Sequence, residues 1–402
     1  MADGQPVTIL CISSEFKGTD FLHSARQEGC RILLLTEEKH KDKPWPREAI
    51  DEIFLMPDLA RYDDVTYAVS YLARSRVIDR IVALDDYDVR LAADLREHMR
   101  IPGLGSSTAR YFRDKLSMRL KAQEAGLAVP EFVHVLNYDR LNGYMQQVPP
   151  PWVLKPRFEA GAVGIKKAHS ADEVWHWVNE LGDKQSFFLL ERFVPGDVYH
   201  VDAIVSEKEI VFMQANKYGR PPLSVSHQGG VFISRKLPDE AAETKTLHAL
   251  NRQFLTSTGI VRGITHTEYI LGEDGRFYFL ETAARVGGAN LADMIFFASG
   301  VNLWAEWARL EAASARGEQY QLPPVRHDYA GILICLARQE WPDMSGYQDP
   351  EVVWRIDKAY HAGLVVASPD QARVEQLLQS YSERFAHDFL TVGPTKEAKR
   401  VA

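Results

Sequence analysis

Short apolar runs alternate with helical patterns along the first part of the chain. The apolar runs have the length and composition of buried strands and cover residues 7–12, 31–36, 53–56 and 80–84. Helical spacing of apolar positions appears between and after them, over residues 21–28, 65–75 and 88–99. This order of elements predicts a parallel α/β layer that is Rossmann-like in shape. We assign no dinucleotide to it, because no G-x-G-x-x-G follows the first strand.

A lysine stands near the end of the strand pattern at residues 152–156. Lys155 and Pro156 close this strand, and a run of small residues that includes Gly161 and Gly164 follows. Backbone N–H groups of such a loop can surround phosphate oxygens, and Lys155 would add a positive charge. A flexible hairpin with an exposed lysine explains the pattern equally well. The segment therefore indicates a phosphate site only together with other signals.

The segment between residues 217 and 236 is rich in glycine, proline and serine. Strand patterns precede it at residues 187–194, 200–205 and 209–214, and a helical pattern follows at residues 239–258. A long irregular segment inside a compact domain is usually a binding loop or a disordered one. As a binding loop it would contribute His227 to a substrate pocket.

A β-hairpin pattern spans residues 265–281. Two alternating runs flank the turn sequence Gly-Glu-Asp-Gly at residues 272–275. Around this turn Glu268 and Glu281 would lie near the same end of the ladder and on one face. Two carboxylates so close repel each other unless a cation lies between them, and Mg²⁺ prefers carboxylate and phosphate oxygens. A surface hairpin with solvated acids is the alternative.

Arg285 follows the second of these acids by four residues and precedes the pair Gly287-Gly288. Glycines let a ligand approach the backbone closely. A guanidinium beside metal-bound phosphate suits the charge that develops on a transferring phosphoryl or acyl phosphate group. The alternative without a functional role is a solvated arginine and a glycine pair that caps a helix.

Composition narrows the class of protein. The 402 residues suggest roughly two to four domains. The net charge of −8 disfavours a general binder of nucleic acid or of anionic membranes. No apolar run has the length of a membrane span and no secretory leader is evident, so we expect a cytoplasmic protein. The three cysteines lack paired spacing, and we expect buried free thiols.

The motifs, taken in order, resemble the ATP-grasp superfamily, and most of all its L-amino acid (dipeptide) ligase branch with relatives in the biotin carboxylase-like group. Ordered motifs run from about residue 102 to residue 300. They are Asp114-Lys115 before a helix that stops at Gly126, Val153-Leu154-Lys155-Pro156 with its glycine loop, Leu190–Val194 followed by Gly196, Gly263 with Thr267-Glu268, and Glu281 with Arg285, Gly287 and Gly288.

The resemblance implies a role for each matching residue. Lys115 and Lys155 would contact the phosphates of ATP, with Lys155 also near the adenine. The segment from Glu191 through Phe193 to Val194 would read the adenine, and the Gly161–Gly164 loop would close over the phosphates. The remaining roles are metal binding by Glu268 and Glu281, with Mg²⁺ as the ion and Mn²⁺ as an alternative, and a grip on the carboxylate or acyl phosphate by Arg285, Gly287 and Gly288.

Three positions depart from the family pattern. Ala283 stands where many relatives have asparagine, so the metal would depend mainly on Glu281 with both its oxygens. Ala162 and Val163 stand where serine is frequent, which leaves only backbone donors in the loop. Val198 replaces the acid that would bind ribose, so Asp197, His200 or Asp202 would have to substitute for it.

The leading hypothesis is an ADP-forming ligase that activates a carboxylate as an acyl phosphate and joins it to an amine, giving an amide or dipeptide. The carboxylate would be an L-amino acid or a similar molecule. An ATP-dependent carboxylase or purine-pathway-type ligase and a catalytically silent nucleotide-binding scaffold are the alternatives. The intact set of acids, lysines and arginine disfavours the silent scaffold. Small molecules, with no nucleic acid and no membrane, are the expected partners, and family analogy favours a homodimer.

The predicted fold class is α/β and α+β, with an N-terminal Rossmann-like parallel α/β domain followed by an ATP-grasp fold. The predicted organisation has four parts. Residues 1–108 form the N-terminal Rossmann-like α/β domain, and residues 109–195 the small ATP-grasp subdomain that covers the nucleotide. Residues 196–320 form the C-terminal ATP-grasp subdomain with the metal site. Residues 321–402 form an α/β extension, for which we expect packing or dimer contacts.

Overall fold

The computed structural model describes residues 6–161 and 163–392, without the side chains of residues 226–228. Its first part is a four-stranded parallel sheet in the order β3-β2-β1-β4. The elements are β1 (Thr8–Ser13), α1 (Thr19–Gln27), β2 (Arg31–Glu37), β3 (Glu52–Met56), α2 (Tyr62–Leu72), β4 (Arg80–Ala83) and α3 (Val89–Met99). The predicted parallel α/β layer is confirmed. Strand order reverses between β1 and β4, which is where such sheets open a crevice at their carboxyl ends.

A second, antiparallel sheet of four strands follows, in the order β5-β8-β6-β7. The elements of this region are α4 (Ser106–Arg110), α5 (Lys115–Glu124), β5 (Phe132–His134), α6 (Tyr138–Gln147), β6 (Trp152–Pro156), β7 (Lys166–Ala168), α7 (Ala171–Leu181) and β8 (Phe188–Arg192). Asp114 caps α5, since its side chain accepts a hydrogen bond from the backbone N–H of Leu116. The cap fixes Lys115 in the first turn of that helix.

The largest sheet has eight strands in the order β13-β12-β9-β10-β11-β14-β16-β15. The elements are β9 (Gly196–Ser206), β10 (Glu209–Tyr218), α8 (Pro222–Gln228), β11 (Phe232–Lys236), α9 (Ala242–Thr258), β12 (Gly263–Gly272), β13 (Phe277–Ala283), α10 (Leu291–Ser299), α11 (Leu303–Arg316), β14 (Tyr329–Leu336), β15 (Val352–Arg355), β16 (His361–Ser368) and α12 (Gln371–Asp388). The last three strands come from the predicted C-terminal extension and join the sheet of the preceding part. The four-part division of the chain stays a prediction.

The prediction of an irregular segment at residues 217–236 is wrong. This segment contains α8 and β11. The strand pairs with β10, where Asn216 faces Lys236, and with β14, where Phe232 faces Ile334. The second partner of this strand, β14, lies about a hundred residues further along the chain. The local sequence pattern therefore did not reveal the strand, because its stability depends on that distant neighbour.

The parallel layer packs on the large sheet through α1 and α11. Phe21 and Trp307 meet edge to face with ring centroids 5.5 Å apart, and both belong to a core that continues into α10 and β14. All three cysteines are buried and free. Among the described residues, no helix is long and apolar enough to cross a membrane.

Candidate active site

A cavity of about 480 Å³ lies between the second sheet and the face of β9, β10, β12 and β13. Its two ends differ in chemistry. The apolar end is lined by Val153, Phe193, Val194, Val198 and Ile270. The charged end is lined by Lys115, His266, Glu268, Glu281 and Arg285.

The backbone after β8 forms the wall of the apolar end. Residues 191–196 line the cavity one after another, and Pro130, Leu280 and Ile165 complete the wall. The ammonium of Lys167 lies 3.9 Å from the centroid of the Phe193 ring. An apolar slot beside the end of a strand suits a planar heterocycle.

A buried triad of charges stands behind this slot. One oxygen of the Glu191 carboxylate accepts a hydrogen bond from Lys155, and the other lies 2.9 Å from Nη2 of Arg119, which is completely buried. Burial and the nearby Arg119 lower the pKa of Lys155 to about 8, although Glu191 opposes the shift. Burial alone would raise the pKa of Glu191, but Arg119 and Lys155 outweigh it and lower this pKa.

The start of the glycine loop is tied to the charged end by Lys115. Its ammonium donates to the backbone oxygen of Glu159 at 2.6 Å and lies 2.9 Å from Oε2 of Glu281. Gly161 lines the cavity with a φ of 66°, a left-handed conformation that favours glycine. Gly164 also has a positive φ, of 72°, but it lies outside the lining, where Val163 and Ile165 stand instead.

Glu268 and Glu281 are directly opposite each other on β12 and β13. Residues so paired point to the same face of a sheet, and both line the cavity. Burial would raise the pKa of Glu281, but Lys115 and Lys155 outweigh it and lower the pKa to about 2. Among the described residues, one oxygen of each carboxylate has no hydrogen-bond partner, since the bonds reach only Oε1 of Glu268 and Oε2 of Glu281. Two such hard oxygen donors fit a divalent cation such as Mg²⁺.

Glu268 is held from behind by two side chains. The hydroxyl of Tyr218 donates to its Oε1 at 2.7 Å, and Nε2 of His266 lies 3.5 Å from the same atom. His266 in turn bonds Asp202 through Nδ1 at 2.8 Å. Burial would lower the pKa of His266, but the Asp202 carboxylate outweighs burial and raises the pKa to about 9.

Arg285 reaches the charged end from the loop after β13. Its Nη1 donates to the backbone oxygen of Val286 at 2.9 Å, and its Nε lies 3.5 Å from Oδ1 of Asp86, in the turn after β4. Asp86 also accepts a hydrogen bond from Arg113. Burial would lower the pKa of Arg285, but Asp86 and then Asp85 raise it. The parallel layer therefore helps to position this arginine.

Comparisons with known proteins find relatives of this chain in sequence and in fold. No family model matches the chain. The L-arginine-specific L-amino acid ligase of Bacillus subtilis is 24% identical over 262 residues, which cover 63% of this chain and 62% of that enzyme. The chain thus spans about three fifths of the length of this relative.

Many solved structures match nearly the whole chain, among them an L-amino acid ligase and a synthetase. The L-amino acid ligase from Bacillus licheniformis superposes with a TM-score of 0.76 and 17% identity, covering 96% of this chain and 98% of that one. The N5-carboxyaminoimidazole synthetase from Staphylococcus aureus superposes with a TM-score of 0.71 and 16% identity, covering 94% and 97%. The chain has the ATP-grasp fold. The predicted resemblance to the ATP-grasp superfamily is confirmed.

The structure does not bring all the predicted residues to the cavity of this ATP-grasp fold. Asp197 lies outside the lining and pairs with Lys217 at 2.6 Å, because strand alternation turns its neighbour Val198 inward instead. His200 is completely buried, and its two ring nitrogens bond Asp202 and Ser234. Gly287 packs behind the lining, whereas Gly288 is part of it. The side chain of His227 lies outside the described residues.

Sequence reasoning missed several residues that support the charged groups of the cavity. Arg119 lies one helical turn after Lys115 on α5, a spacing that places both on one face. His266 precedes Glu268 by two residues on β12, so strand alternation predicts a shared face. Tyr218 and Asp86 gave no local signal, because their partners in the site lie on distant elements.

Proposed function

We propose that this protein is an ATP-dependent carboxylate–amine ligase that releases ADP and phosphate. The observation that carries the proposal is the cross-strand carboxylate pair Glu268 and Glu281, which lines one cavity together with Lys115, Lys155 and Arg285. The similarity to L-amino acid ligases, in sequence and in fold, supports it. A carboxylase or a purine-type ligase would need the same ATP chemistry, and the silent scaffold gives these charged residues no purpose.

In this proposal ATP lies along the cavity. The apolar end accepts the adenine against Phe193 and Val194, whose backbone groups follow the end of β8. Lys155 and Lys115 bind phosphate oxygens, and the loop at residues 161–164 covers them. A closed loop keeps water away from the reacting groups, which protects an acyl phosphate from hydrolysis.

The charged end supplies the groups for phosphoryl transfer. Glu268 and Glu281 hold the divalent cation, Mg²⁺ or Mn²⁺, which when bound neutralises charge on the phosphate oxygens. Arg285 binds the carboxylate that is to be activated and stabilises the negative charge that grows during transfer. The backbone of Gly288 is open on the cavity side, since nothing lies within 4 Å of where a Cβ atom would stand. It gives the acyl phosphate room beside Arg285.

The reaction then needs no covalent bond to the protein. The carboxylate oxygen attacks the terminal phosphorus of ATP and ADP leaves. The amine attacks the acyl carbon, phosphate leaves, and the amine loses a proton as the amide forms. An L-amino acid is the proposed carboxylate, because one amino acid ligase resembles this chain in sequence and another shares its fold. The cytoplasmic location, the homodimer and the four-part division of the chain stay predictions.

The test is phosphate release from Mg·ATP with amino acids offered in pairs. We expect at least one pair to stimulate release, and expect Glu281→Ala and Arg285→Ala each to lower it by at least a hundredfold, about 2.7 kcal/mol of transition-state stabilisation. Asp139→Ala and Arg276→Ala change exposed residues of the same types and should leave release unchanged. Release that survives both site substitutions would refute the site assignment. Nucleotide binding without turnover for any acid and amine pair would favour the scaffold.

A further inference from the structure

Three buried groups beneath the charged end, His200, Asp202 and His266, lie close enough together to suggest a metal site of their own. Their bonds give them another role. His200 directs one ring nitrogen to Asp202 and the other to Ser234, at 2.6 and 2.7 Å. The Asp202 carboxylate uses one oxygen for His200 and the other for His266. The donors are thus already engaged with each other.

Asp202 is a rigid anchor in this set. It is completely buried on β9, and besides the two histidines it accepts a hydrogen bond from Nδ2 of Asn216 at 3.3 Å on the neighbouring strand β10. A carboxylate with bonds on both oxygens in a dry environment has little freedom to move. The ring of His266 is therefore held through Nδ1, and its Nε2 faces Oε1 of Glu268 at 3.5 Å and the hydroxyl of Tyr218 at 3.4 Å.

The same pair also touches the glycine loop after β13. A Cβ atom at Gly287 would lie 3.0 Å from Nδ1 of His266 and 3.1 Å from Oδ1 of Asp202. Gly287 is thus packed against the anchor, and Gly288 beside it lines the cavity. One buried unit supports both the carboxylate of Glu268 and the backbone next to Arg285.

We propose that His266, braced by Asp202, is a positioning residue that fixes the Glu268 carboxylate for the divalent cation. This rests on the proposed function, in which Glu268 holds the cation. With Oε1 of Glu268 turned toward His266 and Tyr218, Oε2 is the oxygen left for the ion. Partners of this kind behind a metal ligand commonly change metal affinity by 10- to 100-fold when removed.

Two substitutions of His266 separate its hydrogen bond to Asp202 from its contact with Glu268. Glutamine places its amide nitrogen near the position of Nε2 and keeps the donor toward Glu268, whereas asparagine reaches only as far as Nδ1 and keeps the bond to Asp202. The probe is Mn²⁺, and electron paramagnetic resonance measures its binding to the protein saturated with ADP. We expect His266→Asn to weaken Mn²⁺ binding at least tenfold, and expect His266→Gln, which keeps the donor toward Glu268 but loses the Asp202 brace, to weaken it by a smaller factor of about three to five. Binding of ADP without metal should stay the same in both.

Mn²⁺ binding that is unchanged in His266→Asn, or weakened equally in both variants with their thermal midpoints preserved, would overturn the proposal. Tyr218→Phe removes the other donor to Glu268 and should weaken Mn²⁺ binding in the same direction. The test is independent of turnover. The expected pattern in a protein that releases no phosphate would refute the proposed ligase and leave the positioning role in place, whereas an active ligase without the pattern would refute only the positioning role.

Discussion

The two ends of the cavity balance their charges in different ways. At the apolar end, Glu191 lies between Lys155 and Arg119, and all three stand on neighbouring elements of one region, α5, β6 and β8. At the charged end, Arg285 depends on Asp86 from the parallel layer, and Glu268 depends on His266 and Tyr218 of the large sheet. One end is neutralised locally, and the other is held together by distant parts of the chain.

The difference suggests a division of labour. A neutralised triad under an apolar slot gives a fixed surface for a ligand that the protein binds but does not transform. At the charged end, Glu268 and Glu281 each keep one carboxylate oxygen without a hydrogen bond among the described residues, and Arg285 lies 3.5 Å from Asp86. Such groups can still bind a cation or a transferring group. Each prediction below tests one end against the other.

Arg119→Met should have the largest effect, because it leaves the buried Glu191 with a single counter-charge. Removing one partner from a buried ion pair costs about 3–5 kcal/mol of folding stability. The measurement is the free energy of unfolding from urea denaturation. The matched control is Arg276→Met, which alters an exposed pair with Asp274 and should leave the free energy of unfolding nearly unchanged. Equal losses in the two variants would mean that the triad is not a local balance of charge.

The pH dependence of nucleotide binding tests Lys155. Its pKa of about 8 lies below the ordinary 10.5, so its positive charge is lost as the pH rises through about 8. We expect the affinity for ADP to fall roughly tenfold between pH 8 and pH 9.5, which is about 1.4 kcal/mol. Isothermal titration over this range is the measurement. Between pH 8 and 10.5 the unfolded chain binds more protons at this lysine than the folded protein does. The contribution of Lys155 to the free energy of unfolding therefore rises with pH, because the cost of burying the charged lysine disappears.

Lys155→Arg is the control for this pH effect, since arginine keeps its charge throughout the range. The variant should bind ADP with an affinity that changes less with pH than that of the unsubstituted protein. The same slope in both proteins would assign the pH dependence to another group, such as His266 at the charged end.

A pair of glycine substitutions gives the smallest effect. In Gly287→Ala the new methyl group would crowd His266 and Asp202 at 3.0 and 3.1 Å, so we expect a loss of about 1 kcal/mol in the free energy of unfolding. Gly288→Ala meets no atom within 4 Å and should change stability by less than about 0.5 kcal/mol. Thermal denaturation of both variants is the measurement. Equal stabilities would mean that the anchor beneath the charged end yields easily.

Local pattern was enough to predict some of the elements that line the charged end of the cavity. The alternation around the turn at residues 272–275 predicted that Glu268 and Glu281 lie near the same end of the ladder and on one face, because strand period and turn length set the register. The structure pairs the two residues directly. The strand at residues 152–156 was also predicted from local pattern, whereas the placement of Lys115 before a helix that stops at Gly126 came from the family resemblance. The roles of these residues stay predictions.

Contacts between residues that are distant in sequence could not be predicted from the local sequence pattern. Asp86 and Arg285 are about 200 residues apart, and nothing near either residue indicates the other. His200 was predicted to face a nucleotide, whereas it is enclosed between Asp202 and Ser234, the latter on the strand β11 that the sequence did not reveal. Burial of a polar side chain depends on which strands assemble around it, and that is a property of the whole sheet.

The position of β14 between β11 and β16 has a practical consequence for anyone who prepares fragments of this protein. Expression of residues 1–320 alone would strip β11 of the neighbour that satisfies its outer backbone groups, and an uncovered strand edge invites self-association. A soluble fragment should therefore retain the chain at least through α12, and affinity tags are better attached beyond it than inserted ahead of β14.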